Sequence, residues 1–334
     1  MHSIPNALRT YDYKNKCDKY LFDYIDYLIV DEAGQCSSEI GALSFLFAKK
    51  AIVVGDTDQI PPVYSISDFQ DFNSYNANVS NNLNYEDFLL QSYNCNNSSV
   101  MKIAQNSSLY APYQKEKLQD GLYLLEHRRC PDEIIRYCNE LVYKNQLQYS
   151  KGYDFKNLTE NKLYFKNQKP WAFFNVQGKC LMSEGSRVNK EEAEAILLWI
   201  DANYHNLLSK NKKYLKDIVA ILTPFSSQEK AIREMIKQLS TSGKFNNIKN
   251  IKDLEDITIG TAHKLQGAEK DIILFSMVYD STSCGKPLFI DREKSIINVA
   301  VSRAKQSFYV FGDELIFKNA VGESTKLMWK HLNK

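Results

Sequence analysis

The sequence predicts an α/β protein with doubly wound, mostly parallel sheets. Two apolar runs near the start, residues 27 to 35 and 51 to 63, carry acidic residues at their ends, and a helical pattern separates them. From residue 171 onwards, strand and helix patterns alternate. Such alternation typically gives a parallel sheet covered by helices on both faces. With 334 residues the chain is long enough for two domains of about 150 residues each.

The two apolar runs predict the core of a first domain. Residues 27 to 35 and 51 to 63 each predict a buried parallel strand, and both strands reach the same carboxyl edge of a sheet. The first strand delivers Asp31, which suits Mg²⁺ held through water, and Glu32, which suits activation of a water against a γ-phosphate. The second strand delivers Gln59, whose amide can sense that phosphate. For the Asp31-Glu32 pair alone, acidic residues that merely end a strand are the alternative.

Less regular patterns fill the remainder of this domain. Residues 37 to 50 predict a helix with a serine as N-cap and with Lys49 and Lys50 in the last turn. The resulting β-α-β unit predicts a right-handed crossover. Residues 64 to 98 show no sustained period, so we expect a long surface loop around one short helix near residues 85 to 92.

The pattern is clearer in the second half of the chain. Residues 122 to 143 predict a strand, a turn and an amphipathic helix. The later elements are expected in this order: strand 171 to 176, helix 189 to 200, strand 217 to 223, helix 227 to 239, strands 256 to 262 and 271 to 278, helix 295 to 304, and strand 307 to 312. We therefore expect an incomplete first domain over residues 1 to 120 and a complete second domain over residues 121 to 334.

Composition and charge narrow the class of protein. Hydrophobic residues make up 44% and charged residues 25% of the chain, and no apolar run approaches the ~20 residues of a membrane span. The seven cysteines form no CxxC pair, so a reducing cytoplasm without a membrane partner is expected. Residues 1 to 120 hold 9 Lys and Arg against 15 Asp and Glu, a net charge of −6; residues 121 to 334 hold 33 against 25, or +8. A basic second half suits a polyanion, although a solvated charged surface is equally compatible.

The two apolar runs resemble motifs of superfamily 1 helicases, in the branch that contains the nonsense-mediated-decay helicase and the replication helicase-nuclease. DEAGQ, residues 31 to 35, resembles motif II, and GDTDQIPPV, residues 55 to 63, resembles motif III. The resemblance implies RecA-like P-loop NTPase domains, with ATP and Mg²⁺ as cofactors bound between them. It also implies single-stranded DNA or RNA as the partner, 5′ to 3′ movement, and Pro61 on the nucleic-acid path.

Two further motifs imply arginines at the nucleotide. EHRRC, residues 126 to 130, resembles the motif that contributes an arginine, and by analogy with the EHxRC form we expect Arg129 as the phosphate ligand. A guanidinium stays charged and can bond two phosphate oxygens. Residues 297 to 313 resemble motif VI, which implies Arg303 as an arginine finger worth about 10³ to 10⁵ in rate. Surface arginines before a helix are the alternative for EHRRC alone.

TAHKLQGAEKDIILFS, residues 261 to 276, resembles motif V. The resemblance implies a turn at Gln266 and Gly267 whose backbone N–H approaches a phosphate closely, because glycine has no side chain. It also implies that Glu269 accepts a hydrogen bond from a ribose hydroxyl. Thr261 and His263, at the start of the same motif, are expected to contact the nucleic acid.

Nucleic-acid contacts are expected from two loops. ILTPFSSQ, residues 221 to 228, resembles the strand-to-helix motif whose loop touches the nucleic-acid backbone. A helix start with a core phenylalanine is an equally good explanation of this segment, and a histidine alone is more often structural than a ligand. The expected contacts are Thr223, Pro224, Phe225, Thr261 and His263.

One family motif is absent from the 334 residues, namely a GxxxxGK[ST] loop that would cradle the β- and γ-phosphates. In the family this loop precedes DEAGQ, and residues 2 to 9 resemble the segment that follows the first nucleic-acid motif. We therefore expect the chain to begin inside the first motor domain, as part of a longer enzyme, a truncated product or a separate subunit. Without the strand that carries the P-loop, strand 27 to 30 or 51 to 54 is expected to present an unpaired apolar edge.

Three hypotheses about function follow from these motifs. The first is an ATP-dependent helicase or single-strand translocase, of which this chain alone is expected to be inactive. The second is a nucleic-acid-binding or regulatory module without ATPase activity. The third is a subunit of a split helicase that an upstream polypeptide with the P-loop completes.

Overall fold

The structure is a computed structural model that describes residues 9–78, 83–110, 120–149, 154–158, 163–209, 214–265 and 267–333. The chain divides into two compact units, Met1–Tyr123 and Leu124–Lys334. The division lies close to the boundary expected after residue 120, and the assignment of the units as motor domains stays a prediction. None of the helices in the described ranges is both long and apolar enough to cross a membrane.

The first unit combines short strands with short helices. In chain order its elements are the antiparallel hairpin of β1 (Arg9–Asp12) and β2 (Cys17–Tyr20), strand β3 (Ile25–Val30), helix α1 (Ser38–Phe45), strand β4 (Ala48–Val53), and helices α2 (Asp68–Asn78), α3 (Tyr85–Leu90) and α4 (Val100–Asn106). Strands β3 and β4 pair in parallel, with Ile29 opposite Ile52. The predicted β-α-β unit is therefore confirmed.

Two expectations about the helices of this unit were wrong. The helix expected up to residue 50 ends at Phe45, because Lys49 and Lys50 belong to β4, where Lys49 Nζ contacts Asp26 Oδ1 at 2.8 Å. The expected long loop contains helix α2, which begins with a capping box. Ser67 Oγ accepts from Gln70 N, and Gln70 Oε1 accepts from Ser67 N. The Ser-x-x-Gln spacing was the sequence signal for this helix.

The strands β3 and β4 are not buried as the apolar runs predicted. The side chains of Tyr27, Ile29 and Ile52 are 57%, 68% and 50% exposed, and with Ile25 they lie on one face of the two-stranded sheet. In the described part of the chain no layer covers this face. An apolar run specifies a strand, but burial requires a second layer of structure packed against it.

The second unit is larger and contains the regular α/β alternation. Its elements are β5 (Glu126–His127), α5 (Asp132–Leu141), β6 (Gln148–Tyr149), β7 (Trp171–Asn175), β8 (Leu181–Ser183), β9 (Ser186–Val188), α6 (Lys190–Ser209), α7 (Leu215–Ile218), β10 (Val219–Leu222), α8 (Ser226–Thr241), α9 (Lys252–Glu255), β11 (Thr258–Gly260), β12 (Lys270–Ser276), α10 (Phe289–Arg292), α11 (Lys294–Ser302), β13 (Ala304–Gly312), α12 (Glu314–Lys318) and α13 (Glu323–Leu332).

Five strands of this unit form one parallel sheet in the order β11-β10-β12-β13-β7. On one face, Leu274 and Tyr309 join the apolar side chains of α6 and α8 in a single buried cluster. On the other face, the ring of Phe308 packs 5.2 Å from that of Trp171, which lies 5.6 Å from that of Tyr137 on α5. Fully burying each such side chain contributes about 1.5–3 kcal/mol. The predicted parallel sheet with helices on both faces is confirmed.

Smaller differences from the expected elements concern strand and helix ends. Helix α6 continues to Ser209, well beyond residue 200, and the strand expected from residue 217 is preceded by the short helix α7. The antiparallel hairpin β8–β9 was not predicted at all. Its sequence signal is Glu184-Gly185, a two-residue turn in which both residues have positive φ.

We expect the second unit to unfold cooperatively as an isolated fragment of residues 124–334, because both faces of its sheet are covered. All three tryptophans of the chain lie in this unit, so a urea titration followed by tryptophan fluorescence reports on it alone. In limited proteolysis of the whole chain, we expect cleavage to begin in the first unit, whose β3–β4 face is open. Equal resistance of both units would contradict this account.

Candidate functional site

In the first unit, the DEAG and GDTDQ segments are packed against each other through two glycines. A Cβ added to Gly34 would lie 2.2 Å from the carbonyl oxygen of Asp56, and one added to Gly55 would lie 2.7 Å from Gly34 N. Between them, Ala33 N donates to the carbonyl oxygen of Val54 at 2.9 Å. Larger side chains would separate the two backbones, so the glycines hold the two motifs together.

This packing arranges three predicted catalytic side chains beyond the ends of β3 and β4. Asp31 and Glu32 are exposed, and Asp31 Oδ1 accepts from Glu32 N at 2.9 Å. Glu32 has a φ of 53°, a left-handed conformation that is costly for a residue with a side chain. Its Oε2 accepts from Gln35 Nε2 at 2.8 Å, and Gln59 Nε2 donates to Asp56 Oδ2 at 3.0 Å.

The oxygen donors at this edge fit a magnesium ion. An exposed carboxylate such as that of Asp31 is a hard ligand, and Mg²⁺ usually keeps several waters and takes phosphate oxygens besides one or two carboxylates. The described residues hold no group of three His, Cys, Asp or Glu side chains that could hold a metal by themselves. Pro61, the expected nucleic-acid contact of this unit, is exposed.

In the second unit, a neutral histidine shapes the EHRRC turn. His127 Nε2 accepts from the backbone N–H groups of Arg129 at 3.2 Å and Cys130 at 3.1 Å, which requires the ring proton on Nδ1. Burial, together with the charge of Arg129, lowers the pKa of His127 to about 4. The ring is therefore neutral at physiological pH and remains available as an acceptor.

The Arg129 side chain meets the motif V glutamate. Arg129 Nε lies 2.6 Å from Glu269 Oε1, and Lys305 Nζ lies 3.4 Å from Glu269 Oε2. The backbone carbonyl of Arg303 accepts from Lys270 N at 3.1 Å. Residues from EHRRC, QGAE and SRAK thus come together where β12 and β13 begin, at the amino edge of the sheet.

The other residues expected at the nucleotide differ in exposure. Gly267 is exposed, has a φ of 77°, and has open space where a Cβ would lie. Arg303 ends helix α11 and is only 2% exposed, so its guanidinium must emerge from the unit to reach a phosphate. Gln266 lies outside the described residues.

The residues expected at the nucleic acid lie at the opposite edge, where β10 and β11 end. The two loops are adjacent, because Thr223 N donates to the carbonyl oxygen of Gly260 at 3.0 Å. Thr223 and Pro224 are buried, and Thr223 Oγ1 accepts from Phe225 N at 3.4 Å. Thr261 is half-buried. Thr223 therefore shapes the loop that carries Phe225.

Phe225 and His263 present aromatic rings at this edge. The partly exposed ring of Phe225 packs edge to face on Tyr279, with 5.4 Å between ring centroids, and 5.9 Å from Phe289. The core and nucleic-acid interpretations of Phe225 thus both retain support. His263 is exposed on a 3-10 turn over Ala262–Leu265.

An ion-pair chain joins that turn to α8 and was not anticipated from the sequence. Lys264 Nζ, within the turn, lies 2.6 Å from Glu229 Oε1, and the same oxygen lies 3.3 Å from Arg233 Nε. Glu229 and Arg233 have the i,i+4 spacing of a helical pair, but nothing in the sequence indicated Lys264 as their partner.

A buried polar network also supports this edge and was missed. Gln228 Nε2 donates to Ser276 Oγ at 3.0 Å, and Ser276 Oγ donates to Glu192 Oε2 at 2.6 Å. The Glu192 carboxylate also accepts from Val278 N at 2.8 Å, and Val278 has a φ of 73°, which is strained for a β-branched residue. Burial raises the pKa of Glu192 to about 8, although hydrogen bonds from Ser276 and Val278 lower it. The sequence signal for this network was the presence of two polar residues, Glu192 and Gln228, among the apolar positions of α6 and α8.

Comparison with known proteins agrees with these motifs. Two family models, both described as AAA domain, match residues 105–315 and residues 14–67. Helicase Sen1 of Schizosaccharomyces pombe is 26% identical over 294 residues, which are 86% of this chain and 14% of the relative. The probable helicase MAGATAMA 3 of Arabidopsis thaliana is 27% identical over 243 residues, 70% of this chain and 27% of the relative.

A third relative is the DNA replication ATP-dependent helicase/nuclease DNA2 of Xenopus laevis, which is 22% identical over 296 residues. The match covers 86% of this chain and 25% of the relative. The chain thus spans about a quarter or less of the length of these three relatives. Because one AAA-domain model alone matches more than half of the chain, the chain belongs to the AAA-domain family of superfamily 1 helicases.

Proposed function

We propose that this chain works in an ATP-dependent helicase or single-strand translocase, with ATP and Mg²⁺ as cofactors and single-stranded DNA or RNA as the partner. The observation that carries the proposal is the ion-pair cluster of Arg129, Glu269 and Lys305. It gathers residues from three separate segments of the sequence. The relatives' names as helicases support the same function.

The cluster suits reversible binding of a phosphate. Arg129 and Glu269 are each about one-third exposed, so their pairing is accessible to a competing anion. A phosphate can take two guanidinium hydrogen bonds and carries more charge than a carboxylate, so it can draw Arg129 from Glu269. Glu269 is then available to a ribose hydroxyl, and Arg303, which directly precedes β13, is the proposed arginine finger.

Three further proposed catalytic side chains belong to the first unit. Asp31 is the proposed ligand of Mg²⁺ through water, and Glu32 is the proposed base that orients and deprotonates the attacking water. Gln59, whose amide donates to Asp56 at 3.0 Å, is the proposed phosphate sensor. Gly267 and Gln266 are proposed to approach the nucleotide through backbone N–H groups.

The proposed path of the single strand crosses the carboxyl edge of the second unit. Phe225 and His263 supply a ring and an imidazole at the surface, while Thr223, Pro224 and Thr261 shape the adjoining loops. Pro61 is the proposed contact of the first unit. The net charge of +8 over residues 121 to 334 favours a polyanion.

A second candidate function is a subunit that another polypeptide completes. The 334 residues contain no P-loop motif, and the face formed by Ile25, Tyr27, Ile29 and Ile52 is open. A helix supplied by an upstream polypeptide with a P-loop would cover this face, and its P-loop strand would pair with an edge of the sheet. The remaining alternative is a binding module without ATPase activity. Such a module would bind single strands but would show no ATP hydrolysis when a P-loop polypeptide is added.

Single-strand binding is expected for the chain as it stands. Phe225→Ala should weaken binding about 5- to 150-fold, because a stacked base contributes roughly 1 to 3 kcal/mol. Affinity should fall as salt increases. Fluorescence anisotropy with a labelled oligonucleotide at several salt concentrations measures both effects. Lys326→Gln, an exposed change on α13, is the matched control, and equal affinity of parent and Phe225→Ala would remove this surface from the path.

Negligible ATP hydrolysis is expected from the chain alone, because no P-loop lysine and amide cradle hold the β- and γ-phosphates. Phosphate release is measured with and without single-stranded nucleic acid, and then with an upstream P-loop polypeptide. Turnover that appears only with that polypeptide and is lost in Glu32→Gln supports a split helicase. Strong turnover by the chain alone, abolished in Glu32→Gln, would show that another segment replaces the P-loop.

Loss of the His127 acceptor is expected to destabilise the second unit. His127→Phe leaves two backbone N–H groups without their acceptor, so the free energy of unfolding should fall by about 1 to 3 kcal/mol. His127→Gln retains an acceptor oxygen and should lose less. Urea titrations followed by tryptophan fluorescence measure the difference, with the exposed His205→Gln as control.

The same residue should make stability depend on pH. Its pKa is about 4 when folded and 6.5 without perturbation, so the unfolded chain binds the extra proton between these values. The stabilisation by neutral His127 is therefore complete above about pH 6.5 and is lost as the pH falls through 4. An identical pH profile for the parent and His127→Gln would contradict this role.

A further inference from the structure

We propose that the hairpin β8–β9 is a second contact for the single strand, in which Arg187 binds a backbone phosphate and Met182 packs against a base. This inference rests on the proposed function and extends the strand's path beyond Phe225. The motifs assigned above do not include any residue of this hairpin. Its turn geometry, its attachment, its contact with the Phe225 cluster and its exposed side chains carry the argument.

The hairpin is short and its turn is well defined. Ser183 pairs with Ser186 across a two-residue turn, in which Glu184 has a φ of 49° and Gly185 a φ of 76°. Two consecutive positive φ values are the mark of a type I′ turn, whose twist matches that of the paired strands. The hairpin therefore holds its side chains in a definite arrangement.

Three contacts attach the hairpin to the carboxyl edge of the sheet. Ser227 Oγ, in the first turn of α8, donates to the carbonyl oxygen of Ser183 at 2.7 Å. Glu184 forms an ion pair with Lys230, one helical turn further along α8. Cys180 N, at the base of the hairpin, donates to Asp280 Oδ2 at 2.8 Å. The attachment begins only two residues after Phe225.

A continuous series of contacts runs from Phe225 to the hairpin. The ring of Phe225 packs against that of Tyr279, and the guanidinium of Arg187 lies 5.1 Å from the centroid of the Tyr279 ring. Across the hairpin, Met182 is directly opposite Arg187, so both side chains lie on the same face. A strand that contacts Phe225 can therefore continue onto this face.

The exposed Met182 and the half-buried Arg187 match the chemistry of a nucleotide. Met182 is 65% exposed, so its side chain contributes little to the packing of the hairpin. In other proteins, apolar side chains of this kind contact bases and insert between them. The guanidinium of Arg187 makes a cation–π contact with the Tyr279 ring, which helps to position it for phosphate recognition. Cys180 Sγ accepts from Arg187 Nη1 at 3.5 Å, a weak contact that a phosphate can replace.

The acidic side chains near the hairpin are already engaged. Glu184 is paired with Lys230. Asp280 accepts from Cys180 N, from Thr282 N at 3.1 Å and from Thr282 Oγ1 at 2.6 Å. Neither carboxylate forms an ion pair with Arg187, although the charge of Asp280 contributes to raising the pKa of Arg187, so a phosphate would compete with that more distant carboxylate. A single strand is the occupant that this face fits, because the face is continuous with Phe225 and belongs to the basic half of the chain.

The test measures binding of a labelled single strand to the full chain at several salt concentrations. Met182→Ser should weaken binding about tenfold, because the packing of roughly two methylene-sized groups is lost. Arg187→Gln should reduce the slope of log affinity against log salt by about 0.7, the value for one phosphate contact on a single strand. Arg187→Lys should retain the slope, since it retains the charge.

Matched controls separate this inference from the proposed function. Val321→Ser and Lys326→Gln make similar changes at exposed sites on or next to α13 and should leave binding unchanged. If Phe225→Ala weakens binding but both hairpin variants bind like the parent, the hairpin is not a contact and the proposed function stands. A parent chain that binds no single strand overturns both. A change of oligomeric state in Met182→Ser, measured by light scattering, would instead assign the face to a second copy of the chain.

Discussion

The parallel pairing of β10, β11, β12 and β13 is the constraint on which the candidate site depends. Parallel strands place all their starts at one edge of the sheet and all their ends at the other, so each connection must cross the unit. The segment from Thr261 to Glu269 makes this crossing between β11 and β12. One end of the segment lies beside the loop of Thr223, Pro224 and Phe225, and the other end lies in the Arg129 cluster. The proposed strand contacts and the proposed nucleotide contacts are therefore connected by nine residues of chain.

Hydrogen-bond acceptors buried behind the loops maintain this arrangement. His127 is held neutral by its surroundings and accepts from two backbone N–H groups of the EHRRC turn. Glu192 accepts from Val278 and Ser276 and holds the strained segment that follows β12. These side chains contact no proposed ligand. Their effect is to set the backbone that presents Arg129, Tyr279 and Phe225.

The two units differ in how completely their sheets are covered. In the second unit, helices pack on both faces of five strands. In the first unit, two strands carry exposed isoleucines, although the DEAG and GDTDQ segments are packed too closely for a side chain at Gly34 or Gly55. Local packing through Gly34 and Gly55 therefore does not require the apolar face of the sheet to be covered.

The sequence by itself determined the α/β class, the parallel sheet of the second unit, and the family, because apolar periodicity and motif spacing are local properties. It also predicted α8 nearly to its ends, the presence of α5, and the β-α-β unit around DEAGQ. The helix prediction was wrong at Lys49 and Lys50, which belong to β4 because that strand pairs with β3. The hairpin β8–β9 was not predicted.

Only the tertiary structure decided which predicted site residues come together. Thr223 and Arg303 are buried, Phe225 is partly exposed, and Glu269 pairs with Arg129 across more than a hundred residues of sequence. The hydrogen-bond and ion-pair partners of Glu192, Gln228 and Lys264 were likewise decided only by the tertiary structure. Burial and ion pairing depend on which elements pack side by side, and that is set by contacts between distant segments, which a local pattern does not contain.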